Sequence, residues 1–195
     1  MKLVIPATTL EVGRIHLSPF EESTHGGHPI APLSYMDPFF KMKNIEILTP
    51  PLVIEEYDVF AGKIRFKAPI SSKSPVGIFA TKINTIHEYI ISTLHMHQDS
   101  VLGRTDLTRD AIDSCFQRLC DGTYLNLFIA QHDTRTPVFQ HDEDKPSFGL
   151  SKVFDTSSIG RSARILLRIG GIRVLPGNPY RFRIHHTIVG VYLIK

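Results

Sequence analysis

The stretch ARILLRIGGIRVLPGNPYRFRIHHTIVGVYLI, residues 163–194, predicts two long β-strands joined by a tight turn. Apolar and polar side chains alternate on both sides of Pro176-Gly177-Asn178-Pro179, a tetrapeptide made only of turn-forming residues. Gly170-Gly171 interrupts the first strand and predicts a bulge or a bend there, and Gly190 marks a kink in the second strand. We therefore expect this end of the chain to be a β-hairpin.

Strand alternation sorts the side chains of this hairpin onto two faces. Arg164 and Arg168 share one face of the first strand, whose opposite face is apolar. Arg181, Arg183 and His185 share one face of the second strand. If the two arginine-bearing faces coincide, four guanidinium groups line one side of a sheet, where they can make planar, bidentate contacts to phosphate. A slip in register would separate them.

The charge of the chain is unevenly distributed. Its formal net charge is +3, yet all 19 acidic residues lie within residues 1–159, and residues 160–195 carry seven basic residues and no acidic one. A basic segment without acids favours a polyanionic partner. The alternative is that these arginines pair with the acidic surface of the N-terminal part.

A second basic strand is predicted at Lys63-Ile64-Arg65-Phe66-Lys67, paired as a hairpin with residues 52–60. Proteins that bind single strands combine a basic groove with aromatic side chains on which bases stack. Tyr180, Phe182 and Phe66 are candidates for stacking, although alternation favours the core for Phe182. The candidate nucleic-acid-binding residues are Arg164, Arg168, Arg181, Arg183, His185, Tyr180, Lys63, Arg65 and Lys67.

The other segments predict a β-rich α+β protein. Prolines and Gly26-Gly27 predict an irregular N-terminal arm over residues 1–50, which could pack on the core or on a neighbouring subunit. Helices are predicted over residues 84–97 and from Thr108 to Gly122. We expect residues 51–195 to form a single α+β domain that ends in the basic β-hairpin and contains a small antiparallel sheet or barrel. Further strands are predicted at residues 124–130 and around Val138-Phe139, and an exposed acidic loop at Asp142-Glu143-Asp144.

Several classes of function find no support in the sequence. The phosphate-binding loop, the nucleophile elbow and the HExxH motif are missing, so neither an enzyme nor a cofactor is predicted. Ten histidines, among them His25/His28 and His95/His97, lack the spacing of metal ligands, so no metal site is predicted. No apolar run could span a bilayer, and no secretory signal is visible. Cys115 and Cys120 are expected to stay reduced, which favours an intracellular, reducing compartment.

The later half of the chain resembles a family of viral proteins. A predicted helix ending in Phe116-Gln117-Arg118-Leu119 precedes the strand 124–129, the segment Thr136-Pro137-Val138-Phe139 and the stretch 163–172. Over residues 80–195 this order resembles single-stranded DNA-binding proteins of large DNA viruses and podovirus-type phages. The resemblance implies an OB-like barrel and sequence-tolerant binding during viral DNA replication or recombination, in the host nucleus or cytoplasm. It assigns no binding residues.

Two functions therefore remain open. The first is a single-stranded nucleic-acid-binding protein without an enzymatic activity. The second is a viral structural protein, such as a capsid or assembly subunit, with a β-rich core and an N-terminal arm that could mediate homo-oligomer formation.

Overall fold

A computed structural model gives the fold of most of the chain. It describes residues 4–21, 29–58, 62–70, 73–103, 105–129, 134–140, 145–150, 154, 156–175 and 181–194. The described part is an α+β fold rich in strands, as the sequence predicted. The strands are β1 (Ile5–Pro6), β2 (Ile15–Leu17), β3 (Ile30–Met36), β4 (Lys41–Met42), β5 (Ile45–Leu48), β6 (Leu52–Asp58), β7 (Lys63–Lys67), β8 (Phe116–Gln117), β9 (Tyr124–Phe128), β10 (Pro137–Phe139), β11 (Ser147–Phe148), β12 (Ser162–Leu175) and β13 (Arg181–Ile194).

The predicted C-terminal hairpin forms the spine of the sheet. β12 and β13 pair antiparallel along their whole length, from Ser162↔Ile194 to Leu175↔Arg181. The register shifts twice. Gly170 is the extra residue on β12, which confirms the predicted bulge at Gly170-Gly171, and Val189 is the extra residue on β13, beside the predicted kink. Each bulge reverses which residues face the core. The predicted turn 176–179 lies outside the described residues.

The prediction of an irregular N-terminal arm is wrong for the part of residues 1–50 that the structure describes. Five of the strands lie in this segment, and two of them pair with β12 on the edge opposite β13. β3 pairs through Gly171↔Pro32, and β5 pairs through Ile169↔Ile45. A long central strand has two edges of backbone donors and acceptors, and pairing satisfies both. This demand outweighs the local effect of the prolines.

The sheet continues from β12 through β6 and β7 to β9, and from β13 to β10 and β11. The prediction of an antiparallel sheet needs correction, because β10 and β8 both pair parallel to β13, and β1 pairs parallel to β5. Among the described strands the sheet does not close. However, β8 pairs with β13, and the bridge Cys120↔Leu125 joins the following residues to β9. The segment 116–120 thus hydrogen-bonds to both flanks of the gap.

Three helices lie in the described part of the chain: α1 (Pro75–Met96), α2 (Gln98–Leu102) and α3 (Arg109–Cys115). α1 begins nine residues before the predicted start, because the Ser74 hydroxyl caps it by accepting from the Gly77 N–H at 3.2 Å. Thr108 caps α3 as predicted, accepting from the Ala111 N–H at 3.1 Å. α3 ends at Cys115 rather than Gly122, because the chain turns extended to pair with β13. None of these helices has the length and apolar character needed to cross a membrane.

One hydrophobic core connects the sheet to α1. It contains Ile86 and Ile90 of α1, Ile165 and Ile184 of the hairpin, and Ile47 of the N-terminal segment, all of them fully buried. The N-terminal segment therefore shares the core of the rest of the chain and is not a separate arm.

Candidate nucleic-acid interface

The β12–β13 hairpin has a core face and an outer face. The cross-strand pairs Ile165↔Val191 and Ile172↔Ile184 are buried. The pairs that alternate with them lie on the opposite side, which we call the outer face. The outer-face pairs are Arg164↔Tyr192, Leu166↔Gly190, Arg168↔Thr187, Gly171↔His185, Arg173↔Arg183 and Leu175↔Arg181. The predicted arginine faces of the two strands therefore coincide.

Four basic side chains gather at the turn end of this face. Arg173 and Arg183 are direct cross-strand partners. Arg181 and His185 lie two residues to either side of Arg183 on β13. We call Arg173, Arg181, Arg183 and His185 the basic cluster. Within the described residues, no Asp or Glu forms a salt bridge with any member of it. Across the sheet from Arg173, the next residue is its β3 partner Ile30. Ile30 in turn forms a β-bridge with Glu21, which is acidic.

The members of the cluster repel one another. Burial and the charge of Arg173 lower the pKa of Arg183. Burial, followed by the charges of Arg173 and Arg183, lowers the pKa of the His185 imidazole. The Arg173 Nε is buried and has no hydrogen-bond partner among the described residues. Partly desolvated donors without acceptors favour an anion, because oxyanions supply both charge and hydrogen-bond acceptors.

Phe128 at the end of β9 completes the cluster on one side. Its ring lies under the Arg183 guanidinium, 5.4 Å from ring centroid to Cζ. Its backbone N–H donates to His186 Nε2 at 2.9 Å, and His186 Nδ1 lies 3.2 Å from the Ile184 carbonyl oxygen. This arrangement requires a neutral His186 that is protonated on Nδ1. Consistently, burial is the main cause that lowers the pKa of His186 to about 4.

Arg164 and Arg168 differ in their partners. The Arg168 guanidinium donates twice to Glu46 Oε1 of β5, from Nε at 2.9 Å and from Nη2 at 2.6 Å. For Arg168 the alternative prediction is therefore the correct one: an acidic residue of the N-terminal part neutralises it. Arg164 is exposed and forms no salt bridge with a described residue. It lies beside Tyr192, its cross-strand partner, at the end of the face remote from the basic cluster.

The second basic strand contributes less than its charge suggests. Arg65 of β7 binds Glu56 at 2.7 Å, and its guanidinium lies 5.2 Å from the Tyr124 ring centroid. Lys63 is paired in register with Asp58 on one side and with Phe128 on the other, next to the basic cluster. Lys67 is exposed beside Val53. Of these three residues, only Lys63 pairs with Phe128, the residue whose ring contacts Arg183 of the basic cluster.

Two aromatic candidates lie in the core, and one predicted site residue cannot be placed. Phe66 is fully buried, so the structure contradicts a stacking role for it. Phe182 is buried on the core face, as alternation predicted. Tyr180 lies outside the described residues, and so does the predicted acidic loop at residues 142–144.

Sequence reasoning missed Arg173 and Tyr192 for the same reason. Simple alternation places both on the core faces of their strands. The bulges at Gly170 and Val189 return them to the outer face. The Gly170-Gly171 pair was a usable signal for Arg173. Phe128 carried no local signal, because its contact with Arg183 joins residues distant in sequence.

The arrangement can bind an anion through guanidinium groups and stack a planar group on aromatic rings. Within the described segments, no three His, Cys, Asp or Glu side chains converge as metal ligands. The chain matches no family model, and searches of curated proteins and of solved structures find no match.

Proposed function

We propose that the protein binds single-stranded nucleic acid, independently of sequence, on the outer face of the β12–β13 hairpin. The observation that carries this proposal is the pairing of Arg173 with Arg183 in a cluster that no described acid neutralises. A phosphodiester backbone would supply the missing negative charge and the missing acceptors. Because every nucleotide carries the same phosphate, such contacts hold the strand without selecting a sequence.

The outer face also extends far enough for more than one nucleotide. Arg164 and Arg173 are separated by nine positions along β12, one of them within a bulge. Without the bulged residue, at about 3.3 Å per residue, this is a distance of about 26 Å. A strand running along the hairpin could contact Arg164 at one end and the basic cluster at the other.

We further propose that this sheet forms an OB-like barrel, the architecture that binds single strands in many proteins. Two features support this proposal. The path β13–β12–β6–β7–β9 contains five strands, and the segment 116–120 hydrogen-bonds to both β13 and β9. The viral resemblance of residues 80–195 adds DNA replication or recombination as the proposed setting.

The alternative of a capsid or assembly subunit loses one of its arguments. That hypothesis used an irregular N-terminal arm as the element that joins subunits. The described residues of this segment instead pair with β12 and enter the core of the same chain. Homo-oligomer formation remains a prediction, which light scattering can measure.

A titration tests the proposed function. A fluorescent single-stranded oligonucleotide of about 16 nucleotides, the upper site size of an OB fold, is titrated with protein at two salt concentrations. We expect binding that weakens steeply between about 50 and 200 mM salt, because neutralised phosphates release counterions. An absence of binding at the lower salt concentration would refute the proposal.

A further inference from the structure

A pair of stacked aromatic rings lies at the end of the outer face opposite the basic cluster. Phe139 of β10 and Tyr192 of β13 are cross-strand partners. Their ring centroids are 4.8 Å apart, and their planes differ by 8°. Tyr192 is 39% exposed, although it is a large side chain in the interior of a strand. Burial in the hydrophobic core therefore does not explain why a tyrosine occupies this position.

The surroundings of the pair suit a planar, anionic ligand. Arg164, which forms no salt bridge with a described residue, is the partner of Tyr192 on its other side, within β12. Phe148 of β11 is 53% exposed. It pairs with Pro137, which lies two residues before Phe139 on β10. Exposed aromatic rings beside an arginine are the combination that contacts base and phosphate in single-strand binders. An apolar protein partner would gain nothing from a guanidinium that forms no salt bridge with a described residue.

We infer that Tyr192 and Phe139, with Arg164, form a base-stacking subsite of the interface. A nucleobase stacks on the exposed Tyr192 ring, and Arg164 contacts the adjoining phosphate. The basic cluster then holds the backbone further along the strand. This inference rests on the proposed function, and it adds that the bases themselves contribute to affinity.

The test compares two oligonucleotides of the same length and charge. One is oligothymidine, and the other is abasic, with the sugar-phosphate backbone intact. Base stacking is worth about 1–3 kcal/mol per base, which corresponds to roughly 5- to 150-fold in affinity. We expect the protein to prefer oligothymidine by a factor in this range. Tyr192→Ala should abolish the preference, so that the two oligonucleotides bind this variant with equal affinity.

Two further variants control for general effects. Tyr192→Phe keeps an aromatic ring and should keep the preference. Phe39→Ala removes a ring that is 93% exposed and lies outside the hairpin, so it should also leave the preference unchanged.

The outcomes separate this inference from the proposed function. If both oligonucleotides bind equally, or if Tyr192→Ala retains the preference, the stacking subsite is refuted while backbone binding stands. If neither oligonucleotide binds, both proposals fall. If light scattering shows that Tyr192→Ala only converts a dimer into a monomer, the exposed rings form a subunit contact and the subsite is refuted.

Discussion

Arg173 and Arg183 face each other directly across β12 and β13, and no described carboxylate pairs with either side chain. Like charges placed directly opposite in a sheet are destabilising, within a range of about 0.2–1 kcal/mol for such pairs. An anion that binds both guanidinium groups would remove this repulsion. Anion binding at the proposed interface would therefore stabilise the fold.

Replacing Arg173 by glutamine should separate function from stability. Arg173→Gln removes the repulsion from Arg183, so the free energy of unfolding should stay constant or rise by up to about 1 kcal/mol. The affinity for single strands should fall at the same time. Urea denaturation of the free protein measures the first effect, and oligonucleotide titration measures the second. A loss of stability greater than about 1 kcal/mol would show that Arg173 has a structural role instead.

The arginines on the outer face should not contribute equally to binding. Arg183→Gln removes a charge that no described acid neutralises. It should reduce the affinity together with the salt dependence, whose slope falls by about one. Arg168 is neutralised by Glu46, so removing both charges in Arg168→Gln/Glu46→Gln should leave the affinity almost unchanged. If this double variant weakens binding as much as Arg183→Gln does, the whole face binds without regard to ion pairing.

Stability should decrease on mild acidification because two histidines are held neutral. Burial is the main cause that lowers the pKa of His87 to about 3, and that of His186 to about 4. In the unfolded chain both groups titrate near the usual value of about 6.5, so below that pH the unfolded state binds more protons. The stabilisation that these two neutral histidines contribute is fully present above about pH 6.5. It is lost progressively as the pH falls towards their pKa values in the folded protein. At pH 5, His87 alone should reduce it by about 2 kcal/mol.

Urea denaturation at pH 7.5 and at pH 5 checks this prediction. His87 Nε2 accepts from the Leu119 N–H at 3.1 Å, an interaction that a glutamine amide oxygen can replace. His87→Gln should therefore fold and show a smaller loss between the two pH values. An unchanged loss in this variant would mean that other groups cause the acid sensitivity.

Gly171 should tolerate no side chain. A Cβ at this position would lie 2.4 Å from the Ala31 carbonyl oxygen and 2.9 Å from Ile30 Cγ2, because β3 pairs closely with β12 here. Gly171→Ala should lower the free energy of unfolding by about 2–3 kcal/mol. At Gly13 a Cβ would meet nothing within 4 Å, so Gly13→Ala should change stability by less than about 1 kcal/mol. Equal stabilities of the two variants in urea would contradict this close contact between β3 and Gly171.

The sequence predicted those features that depend on local patterns. Alternation identified the hairpin of β12 and β13, the hairpin of β6 and β7, and the burial of Phe182. Thr108 marked the start of α3. Ser74-Pro75 is a local signal of the same kind at the start of α1.

Features that depend on tertiary pairing could not be predicted in this way. The proline-containing strand β3 is extended because β12 offers it an edge at Gly171↔Pro32. Neutralisation of Arg168 requires Glu46, 122 residues away in the chain. The two bulges decide which arginines share a face, and only the register reveals both of them.

The most direct test of the central claim is a comparison of two double charge reversals. Arg173→Glu/Arg183→Glu alters the basic cluster, and Lys41→Glu/Lys73→Glu changes the net charge equally at two exposed positions outside β12 and β13. At about 50 mM salt, we expect the cluster variant to lose at least about 30-fold in affinity for a single-stranded oligonucleotide while remaining folded. The control variant should stay within about threefold of the unmodified protein. Equal losses in both variants would show that net charge alone drives binding, and would contradict a site on the outer face of the hairpin.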